Sequence, residues 1–266
     1  MSRIEAAFAG LKERGHGGLM PFVCAGAPTL DALTEVLPAL SDAGAVVIEV
    51  GIPFSDPIAD GPVIAAAMHD AIGRGITPTK VFDQVRAVRD RVSSGLVAMV
   101  SVSLVHAMGG GAAFCERARG AGFDGCIFPD APLEESEELG AACRDHGLTC
   151  SLLIAPTTPK DRARLIAERC TGFVYLLARA GITGERSEAP EVADRVRMLR
   201  RVTALPIACG FGISTPDHVR AVVEHADAAI VGTALVRRLE QAGNGSLRRV
   251  CEDFLAELST GLVSLG

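Results

Sequence analysis

The chain lacks any run of about 18 uncharged apolar residues, although apolar types make up 48% of its 266 residues, so no membrane-spanning helix is expected. It also lacks a basic block. Twenty-six Lys and Arg against 32 Asp and Glu leave a formal net charge of −6, which removes the electrostatic footprint of a nucleic-acid binder. No Cys-x-x-Cys pair occurs among the eight cysteines at 24, 115, 126, 143, 150, 170, 209 and 251. Neither a zinc-site spacing nor a disulfide framework can be read from them, and they are expected to be small buried hydrophobes in a reducing compartment. The segment Met1-Ser2-Arg3-Ile4-Glu5 is charged early and has no apolar signal-peptide core, so a cytoplasmic location is expected. No linker-like or low-complexity stretch interrupts the sequence. At this length a core forms without a disulfide or metal staple, and residues 1–266 read as one domain.

What is present is a repeat of elements. Apolar runs recur at 19–24, 46–50, 96–102, 124–128, 149–154, 172–177, 205–209 and 227–231, each continuous rather than alternating. Strands covered on both faces have this character. Helical patterns lie between them. Thr29, Ser136, Thr158-Pro159 and Ser214-Thr-Pro216 stand at helix starts, while Gly44, Gly122, Gly147 and Gly172 stand at ends just before the next strand. Eight alternations predict an α/β architecture, a single (β/α)8 TIM barrel with an extra N-terminal helix. An open doubly wound sheet is the alternative.

A barrel of this kind carries its chemistry at the C-terminal ends of the strands. Glu49 lies inside the β-branched run Val46-Val-Ile-Glu-Val50. An ionised carboxylate there must be paired or must have its pKa raised. It is therefore either an acid–base group or a salt-bridged residue facing a helix. The following loop, Gly51-Ile-Pro-Phe-Ser-Asp-Pro-Ile-Ala-Asp-Gly-Pro62, is stiffened by three prolines, and Asp56 and Asp60 both also fit turn chemistry. After the seventh and eighth runs come Gly210-Phe-Gly212 and Gly232-Thr233. These are either anion-binding turns at helix N-termini or merely tight turns. The long glycine-bearing segment 178–190 after the sixth run reads as a lid, with Gly184 as a further phosphate contact, or as a plain surface loop.

Together these residues resemble the tryptophan synthase α-subunit family over Phe8 to Leu258. The resemblance rests on Pro21-Phe-Val23, Glu49 through Pro62, Pro129-Asp-Ala-Pro132 with Glu134-Glu135, Tyr175 through Gly184 and Gly210-Phe-Gly-Ile-Ser214. It implies a lyase that cleaves indole-3-glycerol phosphate to indole and glyceraldehyde 3-phosphate by a retro-aldol reaction, in tryptophan biosynthesis or a related indole-producing pathway. It implies Glu49 and Asp60 as the catalytic pair, phosphate contacts at Gly184, Gly212, Gly232 and Thr233, and lid and pocket roles for Phe22, Arg179 and Thr183. No step calls for a metal or an organic cofactor. The implied partner is a pyridoxal-phosphate-dependent β subunit in an α2β2 assembly. Three departures stand out. Ala27 occupies a place where the family usually has Asp, and Ser101 and Ser103 stand where it usually has Tyr and Asn. These changes lead to an expectation of weakened pairing with an ordinary β subunit. The alternatives are a stand-alone paralogue in specialised metabolism, a catalytically weak activator of a β subunit, or another phosphate-binding barrel enzyme of aromatic or histidine biosynthesis.

Overall fold

The computed structural model describes residues 2–57, 60–179, 191–243 and 245–262. Helix α1 (Arg3–Arg14) precedes β1 (Gly18–Cys24), and α2 (Leu33–Asp42) leads into β2 (Val47–Gly51). Two helices, α3 (Pro62–Gly73) and α4 (Pro78–Val88), intervene before β3 (Gly95–Met99), and α5 (Val102–Ala107) and α6 (Gly111–Ala121) before β4 (Gly125–Ile127). Helix α7 (Ser136–Asp145) is followed by β5 (Thr149–Ser151) and β6 (Leu153–Ile154). Then come α8 (Lys160–Arg169), β7 (Val174–Leu177), α9 (Ala193–Leu199), β8 (Ile207–Gly210), α10 (Pro216–Val223) and β9 (Ala228–Val231). Helices α11 (Thr233–Gln241) and α12 (Leu247–Ser259) follow.

The strands form one parallel sheet in the order β5-β4-β3-β2-β1-β9-β8-β7-β6. Only Leu152 separates β5 from β6, so the two ends of that order are halves of one interrupted strand. The eight expected strands thus stand around a (β/α)8 ring. Each turns up within a few residues of its apolar run. The third is shorter than expected, ending at Met99 rather than at Val102. Ser101 takes extended backbone and its hydroxyl accepts the Ser103 N–H, which starts α5 at Val102. Thr29 does not start α2, which begins at Leu33 without a side-chain cap. By contrast, Thr215 accepts the His218 N–H and Pro216 fills the first turn of α10, as expected. Gly44, Gly122 and Gly147 adopt the left-handed backbone at helix ends as expected, whereas Gly172, also left-handed, follows a helix that has already ended at an extended Cys170.

Alternation along the strands separates two cores. Met20, Val47, Val97, Ile127, Tyr175, Ala208 and Ile230 point into the barrel, where Ile4, Phe8 and Leu11 of α1 join them. The extra N-terminal helix therefore closes one end of the barrel, its Phe8 ring 5.8 Å from that of Phe173. Leu19, Ile48, Val50, Leu96 and Ala98 point outward against the helices. Buried Asp124 ties the closed end together, accepting from Arg89 Nη2 at 2.9 Å, the Leu96 N–H at 2.9 Å and Arg3 Nη1 at 3.3 Å. Removing one side of a buried pair of this kind costs about 3–5 kcal/mol. Among the described residues no helix is long and apolar enough to cross a membrane.

Candidate active site

With one end of the barrel closed by α1, the open end lies at the strand C-termini. There a cavity brings together Phe22, Glu49, Asp60, Gly212, Gly232 and Thr233. Six residues chosen from sequence thus meet in one place. Arg179 is half-buried past the end of β7 and is not among the described residues that line this cavity. Thr183, Gly184 and most of the expected lid segment, 180–190, lie outside the described residues.

Glu49 follows Val47 on the inward side of β2, between register partners Phe22 and Val97. It is 0% exposed, and neither carboxylate oxygen finds a hydrogen-bond partner among the described residues. No described residue supplies the partner that the salt-bridge reading of this residue requires. Loss of hydration raises its carboxyl pKa well above the usual range, so Glu49 is held in its neutral, proton-bearing form. Asp60 sits two residues before Pro62, the first residue of α3, with its own N–H bonded to the Pro57 carbonyl at 3.0 Å. Burial pushes its carboxyl up to about 6. At neutral pH Asp60 is thus mostly ionised while Glu49 is not. Burial moves both carboxyls upward.

Between and around the carboxyls the walls are apolar, formed by Ile64, Met99, Leu153, Tyr175 and Ile230 with the Phe22 ring. At the far side, Gly232 caps α11 and has no side chain to satisfy its first-turn N–H groups. Those donors and the positive end of the helix dipole are available to an anion. Phe211 and Gly212 both have φ 79°, turning the chain back beside this site. A left-handed Phe costs on the order of 1–3 kcal/mol, a strain that characteristically persists at ligand sites. No Lys, Arg or His occurs among the described lining residues. Among the described lining residues, the groups available to an anion are backbone N–H groups and the helix dipole.

Among the lining residues that had no role assigned from sequence, Tyr175 and Phe211 shape the site most directly. Tyr175, the only tyrosine of the chain, is buried on the inward face of β7, and burial, with the nearby Asp60 carboxylate adding to it, keeps its phenol neutral. A Cβ on Gly210 would lie 2.5 Å from its hydroxyl oxygen, so only glycine leaves room for it. The alternation Phe173, Tyr175, Leu177 was the available signal. Phe211 offered none, because its left-handed backbone is imposed by tertiary structure.

A second cleft adjoins the first, sharing Asp60, Met99 and Pro129 with it and adding Asp56, Ser101 and Asp130. The Ser101 hydroxyl donates to Asp130 at 2.7 Å, and the Val102 N–H donates to the same carboxylate at 3.0 Å. Ser103 is exposed, and Ala27 packs in the small cluster with Phe22 and Ile64.

Residues 8–259 match the family model described as tryptophan synthase alpha chain. The chain is 44% identical over 260 residues to a tryptophan synthase alpha chain of Synechococcus sp., covering 97% of this chain and 96% of that one. Against the tryptophan synthase alpha chain of Roseiflexus castenholzii the identity is 40% over 259 residues, covering 96% and 98%. Among solved structures it superposes on a chain of Mycobacterium tuberculosis tryptophan synthase with TM-score 0.90 at 30% identity, covering 100% and 99% of the two chains. For the tryptophan synthase subunit alpha of Legionella pneumophila the TM-score is 0.89 at 30% identity, with 98% of each chain covered.

Proposed function

The chain belongs to the tryptophan synthase alpha chain family, and from that premise and the cavity we infer that it cleaves indole-3-glycerol phosphate to indole and glyceraldehyde 3-phosphate. The observation that carries this reading is the pairing of a neutral Glu49 with a mostly ionised Asp60 in one apolar cavity whose far side is a helix N-terminus.

The bond to be broken joins indole C3 to the hydroxyl-bearing carbon of the glycerol chain. Carbon leaves poorly as an anion, so C3 must first gain a proton. Neutral Glu49 supplies it, converting the ring to an indoleninium. Asp60, ionised, accepts the indole N–H and offsets the positive charge that develops there. Glu49, now a carboxylate, takes the proton from the side-chain hydroxyl. The C–C electrons return to the ring, the hydroxyl carbon becomes the aldehyde, and the acid is regenerated. Two carboxyls with unequal pKa values are the arrangement this division of labour needs. Phe22 and the apolar walls hold the ring. The N–H groups around Gly212, Gly232 and Thr233 hold the phosphate.

Indole release from indole-3-glycerol phosphate by the purified chain, with no other protein present, tests this reading. Steady formation of indole and aldehyde in equal amounts is expected, and its absence from folded, phosphate-binding protein would overturn the reading.

The partner is a tryptophan synthase β subunit carrying pyridoxal phosphate, in an α2β2 assembly. Ser101 and Ser103 stand where the family's larger side chains are expected, so pairing with an ordinary β subunit is weak. The loss of one aromatic anchor costs about 2 kcal/mol, near 30-fold in affinity. Titration of the chain with such a subunit decides this point: sub-micromolar binding with strong stimulation would contradict it.

A further inference from the structure

Four of the eight cysteines converge outside the active-site cavity. Cys126 of β4 and Cys150 of β5 are register partners, so their side chains leave the sheet on the same face. Both belong to the outer core, on the helix-covered side of the sheet and opposite in facing to Glu49. Cys115 of α6 and Cys143 of α7 reach the same spot from two helices that pack on one another. All four are at most 1% exposed. The Sγ atoms of Cys115 and Cys143 are 3.7 Å apart, and those of Cys115, Cys126 and Cys143 all lie within 4.8 Å of one another. Among the described residues no other three Cys, His, Asp or Glu donors form such a group.

A pair of thiols in van der Waals contact is ordinary core packing. Three converging from separate elements, with a fourth in register beside them, is a ligand arrangement. Thiolates bind zinc at about 2.3 Å, which places tetrahedral sulfurs about 3.8 Å apart. The Cys115–Cys143 separation already has that value within 0.1 Å or so, Cys126 needs to close by at most about 1 Å, and Cys150, which lies outside the 4.8 Å group, has further to swing in. No carboxylate or imidazole belongs to the group, so its donors are uniformly soft and exclude magnesium and calcium.

We propose that Cys115, Cys126 and Cys143, with Cys150 as the fourth donor, bind a thiophilic cation of the zinc type. On binding, each ligating thiol gives its S–H proton to solvent as its sulfur–metal bond forms, with no change of oxidation state. The ion fastens α6 and α7 to β4 and β5. The β4–β5 ladder there is only three residues long, and the ring is interrupted directly after β5. The spacing of these cysteines conceals the site from sequence, since each ligand comes from a different element. Because the four sulfurs are buried, the metal enters as the protein folds and exchanges slowly afterwards.

The experiment is metal analysis of the full chain purified from zinc-supplemented cells and desalted. About one zinc per chain is expected. Occupancy falls by about tenfold or more in Cys126→Ala and in the milder Cys143→Ser, and is unchanged in Cys251→Ala, which lies in α12 far along the chain. Refolding the parent with Co(II) gives sulfur-to-cobalt charge-transfer absorption, and refolding with zinc raises its Tm relative to zinc-free protein. Neither effect occurs in Cys143→Ser. If parent protein that folds normally retains no metal above the level of Cys143→Ser and shows no thiolate–cobalt absorption, the proposal is overturned. A Cys115–Cys143 disulfide in place of metal, two hydrogens lighter by mass, overturns it equally.

Discussion

Phe22 and Glu49 stand opposite one another in the parallel register of β1 and β2, one presenting a ring and the other a bare carboxyl to the same cavity. The Phe22 ring also bears on both ends of the site. Its Cζ lies 2.5 Å from where a Cβ on Gly51 would be, and its Cβ lies 3.4 Å from the corresponding point on Gly232. The ring that dries the acid thereby also packs beside the anion-binding turn. Glycine at 51 is what leaves it room.

That crowding predicts the effect of Gly51→Ala. The added methyl must displace the Phe22 ring, which opens the cavity wall and admits water to Glu49. The expected result is a KM raised by about tenfold, equal to roughly 1.4 kcal/mol of lost binding, with most of the folded stability retained. An unchanged KM would show that the ring does not shape the pocket.

Asp60 governs the acid side of the pH profile. Its carboxyl, pushed up to about 6 by burial, must be ionised to oppose the indoleninium, so turnover declines as pH falls through about 6. Asp60→Asn lowers kcat by about 10²–10³ and removes that limb, while glycerol phosphate affinity stays within a few-fold. Rates of indole release measured across pH in both proteins check this. A limb that persists in Asp60→Asn belongs to some other group.

Burial of Glu49 also makes stability depend on pH. Its folded-state pKa is raised, whereas in the unfolded chain it titrates near about 4.3. The folded state therefore binds the proton more tightly. This contribution is fully present below the unfolded value and is lost as pH rises through the folded one. Urea unfolding of the parent and of the non-titrating Glu49→Gln, compared from about pH 5 to pH 9, should show the variant gaining relative stability toward high pH. A difference independent of pH would contradict the assignment of a raised pKa.

The strands were legible because a strand covered on both faces is apolar throughout, and the runs beginning at Leu19 and Leu205 obey that rule. The end of β3 was not, because apolar character continues through Val100 and Val102 although the chain has already turned. Periodicity does not distinguish a short strand from a buried helical start. The Ser101 cap was the local signal for the turn. Glu49 was legible as an anomaly, a carboxylate in a β-branched run, but its alternatives were separated only by its inward facing and its lack of partners. The positive φ of Phe211 and the convergence of the cysteines come from tertiary packing and leave no mark in spacing.

At the anion-binding end, Gly232→Asp tests the backbone site. Gly232 has φ −116°, outside the left-handed region that favours glycine. A carboxylate placed beside the α11 N-terminus competes with phosphate and repels it. Glycerol phosphate affinity should fall by about 30-fold, or 2 kcal/mol, well above any loss of stability. Calorimetric titration measures it, and unchanged affinity would assign the glycine to turn geometry alone.

Ser101→Ala removes both the α5 cap and the hydroxyl that holds Asp130. The expected cost is about 1 kcal/mol of stability, with indole release in the absence of a partner within about twofold of the parent. A loss of turnover larger than the loss of stability would instead place the Asp130–Ser101 pair in the reacting site.

The central claim, that neutral Glu49 is the acid that expels indole, is tested most directly by single-turnover indole release in Glu49→Gln. The amide fills the same space but carries no transferable proton. The account predicts release slowed by about 10²–10⁴, with glycerol phosphate bound as tightly as by the parent. Indole release at the parent rate from Glu49→Gln would contradict it.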